Sequence, residues 1–234
     1  MKNCIVLSGQ YRTFDDTWPQ IKEFIDLNEL DVYCHLWGVA DEEENNWQFH
    51  QVKDRLQPKR ILQEPYSDKL ETRFNEIESN IRAKNPKGPN QDKLAGNASM
   101  NYSRKIAYEL VNQEYDNLVY CRYDIGFKQM FKFADVDIIM TPAEESYNLI
   151  SDIFAIMPFE QAKYYFLYDN YEYLHSNQFE PEFVEWLRKV KQYPEQDIQT
   201  HINQRWCPHM MLMRNIIMNG ITYSTQDIPV YLKR

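Results

Sequence analysis

No stretch of this sequence approaches the ~20 consecutive apolar residues of a membrane-spanning helix. Met1-Lys2-Asn3 leads into a short apolar run, too short for the core of a secretory signal. The expectation is a soluble, cytoplasmic protein, in the host cytoplasm if a virus encodes it. Cysteine is scarce: Cys4, Cys34, Cys121 and Cys207 form no CxxC pair and have no zinc-site spacing. Cys4, Cys34 and Cys121 sit in apolar, strand-like runs, so they read as reduced core thiols. A basic excess is missing too. The formal net charge is -9 and the pI about 5.1, which argues against a nucleic-acid partner. Neither G-x-G-x-x-G nor a P-loop is present, and there is no internal repeat.

What is present fits one α/β domain. A chain of 234 residues is expected to bury roughly 70% of its unfolded surface. Hydrophobic residues make up 43% and charged residues 26%, ordinary globular usage that excludes disorder of the whole chain. Aromatics reach 15%, with 17 Tyr, which suits either half-buried cores or the aromatic faces of sugar sites. The expected unit is a single domain over 1–234, with 66–97 as a mobile loop or helical insert. The charged Tyr66 to Asn97 stretch reads as a helix near Lys69 to Arg82 followed by a long loop, an acceptor loop or an ordinary insertion.

The first 63 residues alternate strand, helix, strand, helix, strand. Cys4 to Gly9 is a fully apolar run ending at glycine. Thr13 to Leu27 carries Phe14, Trp18, Ile21, Phe24 and Ile25 at helical spacing, with Asp15, Asp16 or Thr17 as cap and Pro19 in the first turn. Leu30 to Trp37 is the second strand, Ala40 to Asn46 a loop, Asn46 to Leu56 a helix, and Arg60 to Gln63 a strand. That order implies right-handed βαβ units and a mostly parallel sheet flanked by helices. Further on, a helix is expected over Ser99 to Glu114 and a central strand over Asn117 to Asp124. A short β element follows at Phe127 to Phe133, then strands at Ile138 to Pro142 and Ile150 to Pro158. The remainder reads as helices over Phe159–Leu174, Glu182–Lys191 and Arg205–Asn219, with an edge strand at Thr222 to Ser224.

In open α/β sheets ligands bind at the carboxyl ends of the strands. The polar residues there are the candidates. Gly9 could let backbone N–H groups approach a phosphate, with Ser8 and Gln10 beside it, and Arg12 could bind a diphosphate bidentately. The bland reading is a tight turn with a surface arginine. Asp124, after Arg122 and Tyr123, offers a carboxylate able to hold Mg2+ or Mn2+ on a diphosphate oxygen, or else caps a turn or pairs with Arg122. Asp152 interrupts an apolar run, a costly place for an acid without a partner or a task. It is the candidate general base toward an acceptor hydroxyl, unless it faces water at the strand start. His209 opens a helix, as a metal ligand through a neutral imidazole or as a residue with no ligand. His35 either touches a base or ribose or is a satisfied, buried histidine. The methionines at 210, 211, 213 and 218 read as core filling.

Taken in order, several segments resemble one family. They are Ser8-Gly9-Gln10-Tyr11-Arg12-Thr13-Phe14, Asp31-Val32-Tyr33-Cys34-His35-Leu36-Trp37, Tyr102-Ser103-Arg104-Lys105-Ile106, Tyr120-Cys121-Arg122-Tyr123-Asp124, Asp152-Ile153-Phe154-Ala155, Cys207-Pro208-His209 and Asn219-Gly220-Ile221. Together they are similar to the small polysaccharide-type glycosyltransferases of bacteria, phages and large viruses. The resemblance implies a GT-A-like, Rossmann-type sheet that holds a nucleotide-sugar donor of the UDP or GDP type, with a divalent cation on an Asp-x-Asp motif. It implies Asp124 at the diphosphate and Ser103 or Lys105 near the donor. The sequence departs from that pattern in two places: Arg122 stands where the first Asp is expected, and His209 where a Glu is expected. The expected activity is transfer of a hexose to a glycan hydroxyl. The donor would be held by Gln10, Arg12 and Lys105, with Asp152 as base and Asp124, with His209, as metal ligand. The alternative is a catalytically inactive nucleotide- or glycan-binding protein. A sulfotransferase needs a basic loop after its first strand, and only Arg12 is there.

Overall fold

The computed structural model describes residues 1–38, 42–65, 71–73, 75, 76, 79, 94–143, 150–167, 180–198 and 208–233. The expected loop around Asn85, most of the expected Lys69–Arg82 helix, and Cys207 lie outside the described residues.

The strands are β1 (Asn3–Gln10), β2 (Leu30–Gly38), β3 (Arg60–Pro65), β4 (Asn117–Arg122), β5 (Ile125–Phe127), β6 (Ile139–Pro142), β7 (Phe154–Pro158), β8 (Tyr223–Gln226) and β9 (Val230–Leu232). The helices whose bounds lie among the described residues are α1 (Phe14–Asn28), α2 (Glu42–Leu56), α3 (Leu94–Glu109), α4 (Ala162–Phe166), α5 (Pro181–Lys189) and α6 (Pro208–Met218), with a 3-10 turn at Phe159–Gln161. Seven strands form one sheet in the order β3-β2-β1-β4-β7-β6-β8, and β5 pairs with β9 in a small separate ribbon.

The expected mostly parallel sheet with helices on its faces is present. Strands β3, β2, β1 and β4 run parallel, β7 is antiparallel to both its neighbours, and β6 pairs parallel with β8. Side chains alternate across the sheet with period two. Cys4, Val6, Tyr33, Leu118, Tyr120, Ala155 and Met157 point into the core that includes Ala107 of α3, Tyr165 of α4, Phe183 of α5 and Met210 of α6. Ile5, Leu7, Val32, Cys34, Val119, Cys121, Phe154 and Ile156 point into the opposite core, with Phe14, Ile21 and Phe24 of α1 and Val52 and Leu56 of α2. Both faces are therefore covered, which is why β1 and β4 read as continuous apolar runs rather than alternating ones. Cys4, Cys34 and Cys121 are free and buried, and burial pushes the Cys34 thiol up to about 12.

Several boundaries differ from the sequence expectation. The position before α1 is Thr13, whose side chain makes no capping bond, and Pro19 lies inside α1 rather than in its first turn. Helix α2 begins at Glu42, so the acidic stretch expected as loop is largely helical. Helix α3 spans Leu94–Glu109 instead of starting at Ser99. It ends where Val111 N–H bonds the Tyr108 carbonyl, a tightening of the final turn. Strand β4 stops at Arg122. The next β element is only Ile125–Phe127, because its partner is the short β9, which was not anticipated. Strand β7 begins at Phe154, which leaves Asp152 just ahead of the strand.

Candidate functional site

The chain winds from β1 outward through β2 to β3, then returns to the other side of β1 as β4. Order therefore reverses between β1 and β4, and the crevice outside their carboxyl ends is the topological switch point where α/β sheets bind ligands. Register puts His35, Ser8 and Arg122 in one row across β2, β1 and β4. Beyond that row lie the β1–α1 turn and the Tyr123-Asp124 turn.

Backbone conformation shapes the first turn. Gly9 has φ of 126°, a conformation that side-chain-bearing residues rarely adopt, and Arg12 is left-handed at φ 35°. The turn projects Arg12 outward, with its side chain 57% exposed. Gln10 Oε1 accepts a hydrogen bond from Arg12 Nε at 2.7 Å, and Arg12 Nη1 lies 3.9 Å from Asp124 Oδ2. Thr17 Oγ1 donates to the Tyr123 carbonyl at 2.5 Å, tying α1 to the second turn.

Asp124 is only 4% exposed. Both its oxygens are taken by one guanidinium: Arg122 Nε to Oδ1 at 2.9 Å and Nη2 to Oδ2 at 2.6 Å. This is the forked, charge-assisted geometry that makes arginine–carboxylate pairs strong. Burial opposes the charge on Arg122, but the hydrogen bonds and charge of Asp124, with the charge of Asp152, outweigh it and raise its pKa.

Asp152 reaches the same rim by a route the sequence did not suggest. Because β7 runs antiparallel, the residues before it, not after it, face the carboxyl ends of β1 and β4. The Ile153 carbonyl accepts from Arg122 N–H at 3.2 Å, which fixes the neighbouring Asp152, 5% exposed, beside β4. His209, at the start of α6, faces Asp152 with Nε2 3.6 Å from Oδ1. Its Nδ1 lies 3.0 Å from the Ile150 carbonyl. A carbonyl only accepts, so Nδ1 carries the proton in that bond.

Ser8, His35 and Ser103 are brought together below the rim rather than in the crevice. All three are 1% exposed or less. His35 Nδ1 lies 2.7 Å from Ser103 Oγ and Nε2 lies 2.9 Å from Glu64 Oε2. The buried, satisfied reading of His35 describes this geometry, and the pair braces α3 against β2. Burial lowers the His35 pKa, with Glu64 opposing, so the ring is neutral at pH 7. Ser8 Oγ is 3.3 Å from the buried Tyr120 hydroxyl. Lys105 stays outside the cluster, half-exposed on α3 with Glu109 4.0 Å away.

Two supporting groups escaped the sequence reading of the site. Tyr120, in the middle of β4, lies under Ser8, and burial pushes its hydroxyl up to about 12. Arg104 is fully buried, its guanidinium 5.1 Å from the Tyr165 ring and 5.7 Å from that of Tyr120. A signal for it existed: Arg104 shares helical spacing with the buried Ala107 and the partly buried Val111.

The expected Asp124–His209 metal pair does not form. A hard divalent cation wants about six oxygen-rich ligands. Here both Asp124 oxygens face Arg122, while the His209 ring is turned to Asp152 and Ile150. Among the described residues no three His, Cys, Asp or Glu side chains converge. The described residues therefore do not fit a divalent cation. No helix among them is long and apolar enough to cross a membrane.

No protein-family model matches this chain, and no curated protein matches it in sequence. Solved structures offer distant similarity. Mouse xyloside xylosyltransferase 1, in its apo form, aligns at TM-score 0.42 and 10% identity, over 97% of this chain and 85% of that one. A double cysteine-to-serine mutant described as a transferase aligns at 0.46 and 10%, over 99% and 94%. An active-site mutant of LgtC aligns at 0.41 and 10%, over 99% and 86%. At such identity and scores, the likenesses establish neither a shared fold nor a shared activity.

Proposed function

We propose that this chain is a glycosyltransferase of the GT-A type. It would move a sugar from a nucleotide diphosphate-sugar to a hydroxyl of a glycan. The observation that carries the reading is the convergence of Arg12, the Arg122–Asp124 pair and Asp152 on the β1–β4 switch point. The motif order that resembles small polysaccharide glycosyltransferases supports the same reading.

In this account Arg12 is the solvent-facing arm that takes the donor diphosphate. Gln10 holds its guanidinium in place, and the Gly9 turn lets backbone N–H groups come close. Transfer breaks the bond between the anomeric carbon and the diphosphate oxygen and forms one to the acceptor oxygen. Asp152 receives the acceptor proton, and the departing diphosphate keeps the bonding electron pair, neutralised by the two arginines. His209, beside Asp152, orients that carboxylate.

A thermal-shift screen of UDP, GDP and CDP and their sugars tests this. A ligand at 100 times its Kd adds about 2.7 kcal/mol, which raises the melting point measurably. A shift with one diphosphate, together with release of free sugar from its conjugate, supports the transferase. A shift without sugar release under any acceptor condition supports the inactive binder instead. No shift with any nucleotide removes the donor site.

A further inference from the structure

We infer that the diphosphate site works without a divalent cation, its positive charge being built into the sheet as Arg122. This rests on the donor reading above. Both Asp124 oxygens already accept from Arg122, so a metal binding there must share them with a guanidinium whose positive charge repels it unless Arg122 withdraws. The Arg122 backbone is held in β4, paired with Ser8 on one flank and bonded to the Ile153 carbonyl on the other, so withdrawal requires rotation of its side chain alone. Its Nη1 rests 3.8 Å from the Met100 sulfur of α3. Its departure would leave a carboxylate that is 5% exposed with only the longer contact to exposed Arg12 as counter-charge.

A cation entering beside the intact pair would meet a guanidinium instead of a second acid. Arg122 is flanked by Asp124, which it grips, and by Asp152, whose charge acts on it. The charges then suit a diphosphate directly. Arg12 and Arg122 balance Asp124 and Asp152, so the rim offers guanidinium donors with no net negative charge to repel a diphosphate. Arg12 is largely exposed, and the Arg122 side chain is 18% exposed. A guanidinium has five N–H groups, and Asp124 uses two of those on Arg122, so some remain for a phosphate oxygen.

Calorimetric titration of the full chain with UDP, GDP and CDP, each in EDTA and in Mn2+, tests this. The expected result is one nucleotide whose Kd agrees between the two buffers within about threefold, well under 1 kcal/mol. Arg122→Gln should weaken that nucleotide about tenfold or more in EDTA, and Arg122→Asp should make its binding depend on Mn2+. Melting curves identify any variant that fails to fold, and the wild-type titrations decide without it. Tightening of the wild-type Kd by Mn2+ beyond about threefold overturns the inference and leaves the donor reading standing. No heat with any nucleotide in either buffer overturns both.

Discussion

Arg122 and Asp124 carry most of the electrostatics at the candidate site, and the sequence shows both without showing how they are used. A carboxylate two residues beyond an arginine at a strand end can hold a metal, cap a turn or pair. In the folded chain the fork of Arg122 donates to both oxygens, so pairing is the use that is realised. Asp152 makes a separable prediction. Asp152→Asn should lower kcat about 100-fold or more while leaving the donor Kd within about twofold, measured by sugar transfer and calorimetry in parallel, if it handles the acceptor proton. An unchanged kcat would remove it from that role. His35 predicts a pH effect on stability. Its folded pKa lies below the usual ~6.5, so the unfolded chain binds the proton first as pH falls. The neutral buried ring therefore contributes stability that is complete above about pH 6.5 and is lost as pH drops from there toward the depressed folded value. Denaturant melts taken as the pH is lowered from above to below about 6.5 should show a steeper loss in wild type than in His35→Gln. Of the two readings the sequence left open for His35, the structure shows the buried, satisfied one, with the ring inside β2 between Ser103 and Glu64.

Elements were legible where one physical signal dominated. The run Cys4–Leu7 and the helical spacing Phe14, Ile21, Phe24, Ile25 could each adopt few other structures, and β1 and α1 follow them. Direction was not legible. Nothing in Phe154–Pro158 tells whether the strand runs with or against β4, since the sense depends on the chain between β4 and β7. That reversal is what delivers Asp152 to the rim and sets His209 beside it. The short ribbon β5–β9 was missed because two three-residue strands far apart in sequence leave no periodic signal. Two predictions belong here. Gly9→Ala meets no atom within 4 Å, so its cost is purely that of the backbone conformation, about 1–3 kcal/mol, and denaturant melts read it. The same change should weaken nucleotide binding by displacing the turn that carries Arg12. Phe24→Ala removes a fully buried ring packed against Phe127 at 4.8 Å and Phe154 at 5.9 Å, and should cost about 3–5 kcal/mol with no change in the spacing of site residues.

At the scale of the molecule, the doubly covered sheet acts as a rigid floor and the function belongs to its carboxyl rim. In a chain of net charge -9, Arg12 and Arg122 both reach Asp124 at that rim. The donor account therefore requires a nucleoside diphosphate to protect one stretch of surface and no other. Hydrogen–deuterium exchange with and without saturating UDP or GDP, whichever raises the melting point, measures this directly. The account predicts slowed exchange in the peptides covering Ser8–Thr13 and Arg122–Ile125, with weaker slowing at Ser151–Ile153 and none at β8. Slowed exchange confined to other segments, with the β1–α1 turn unchanged, would contradict it.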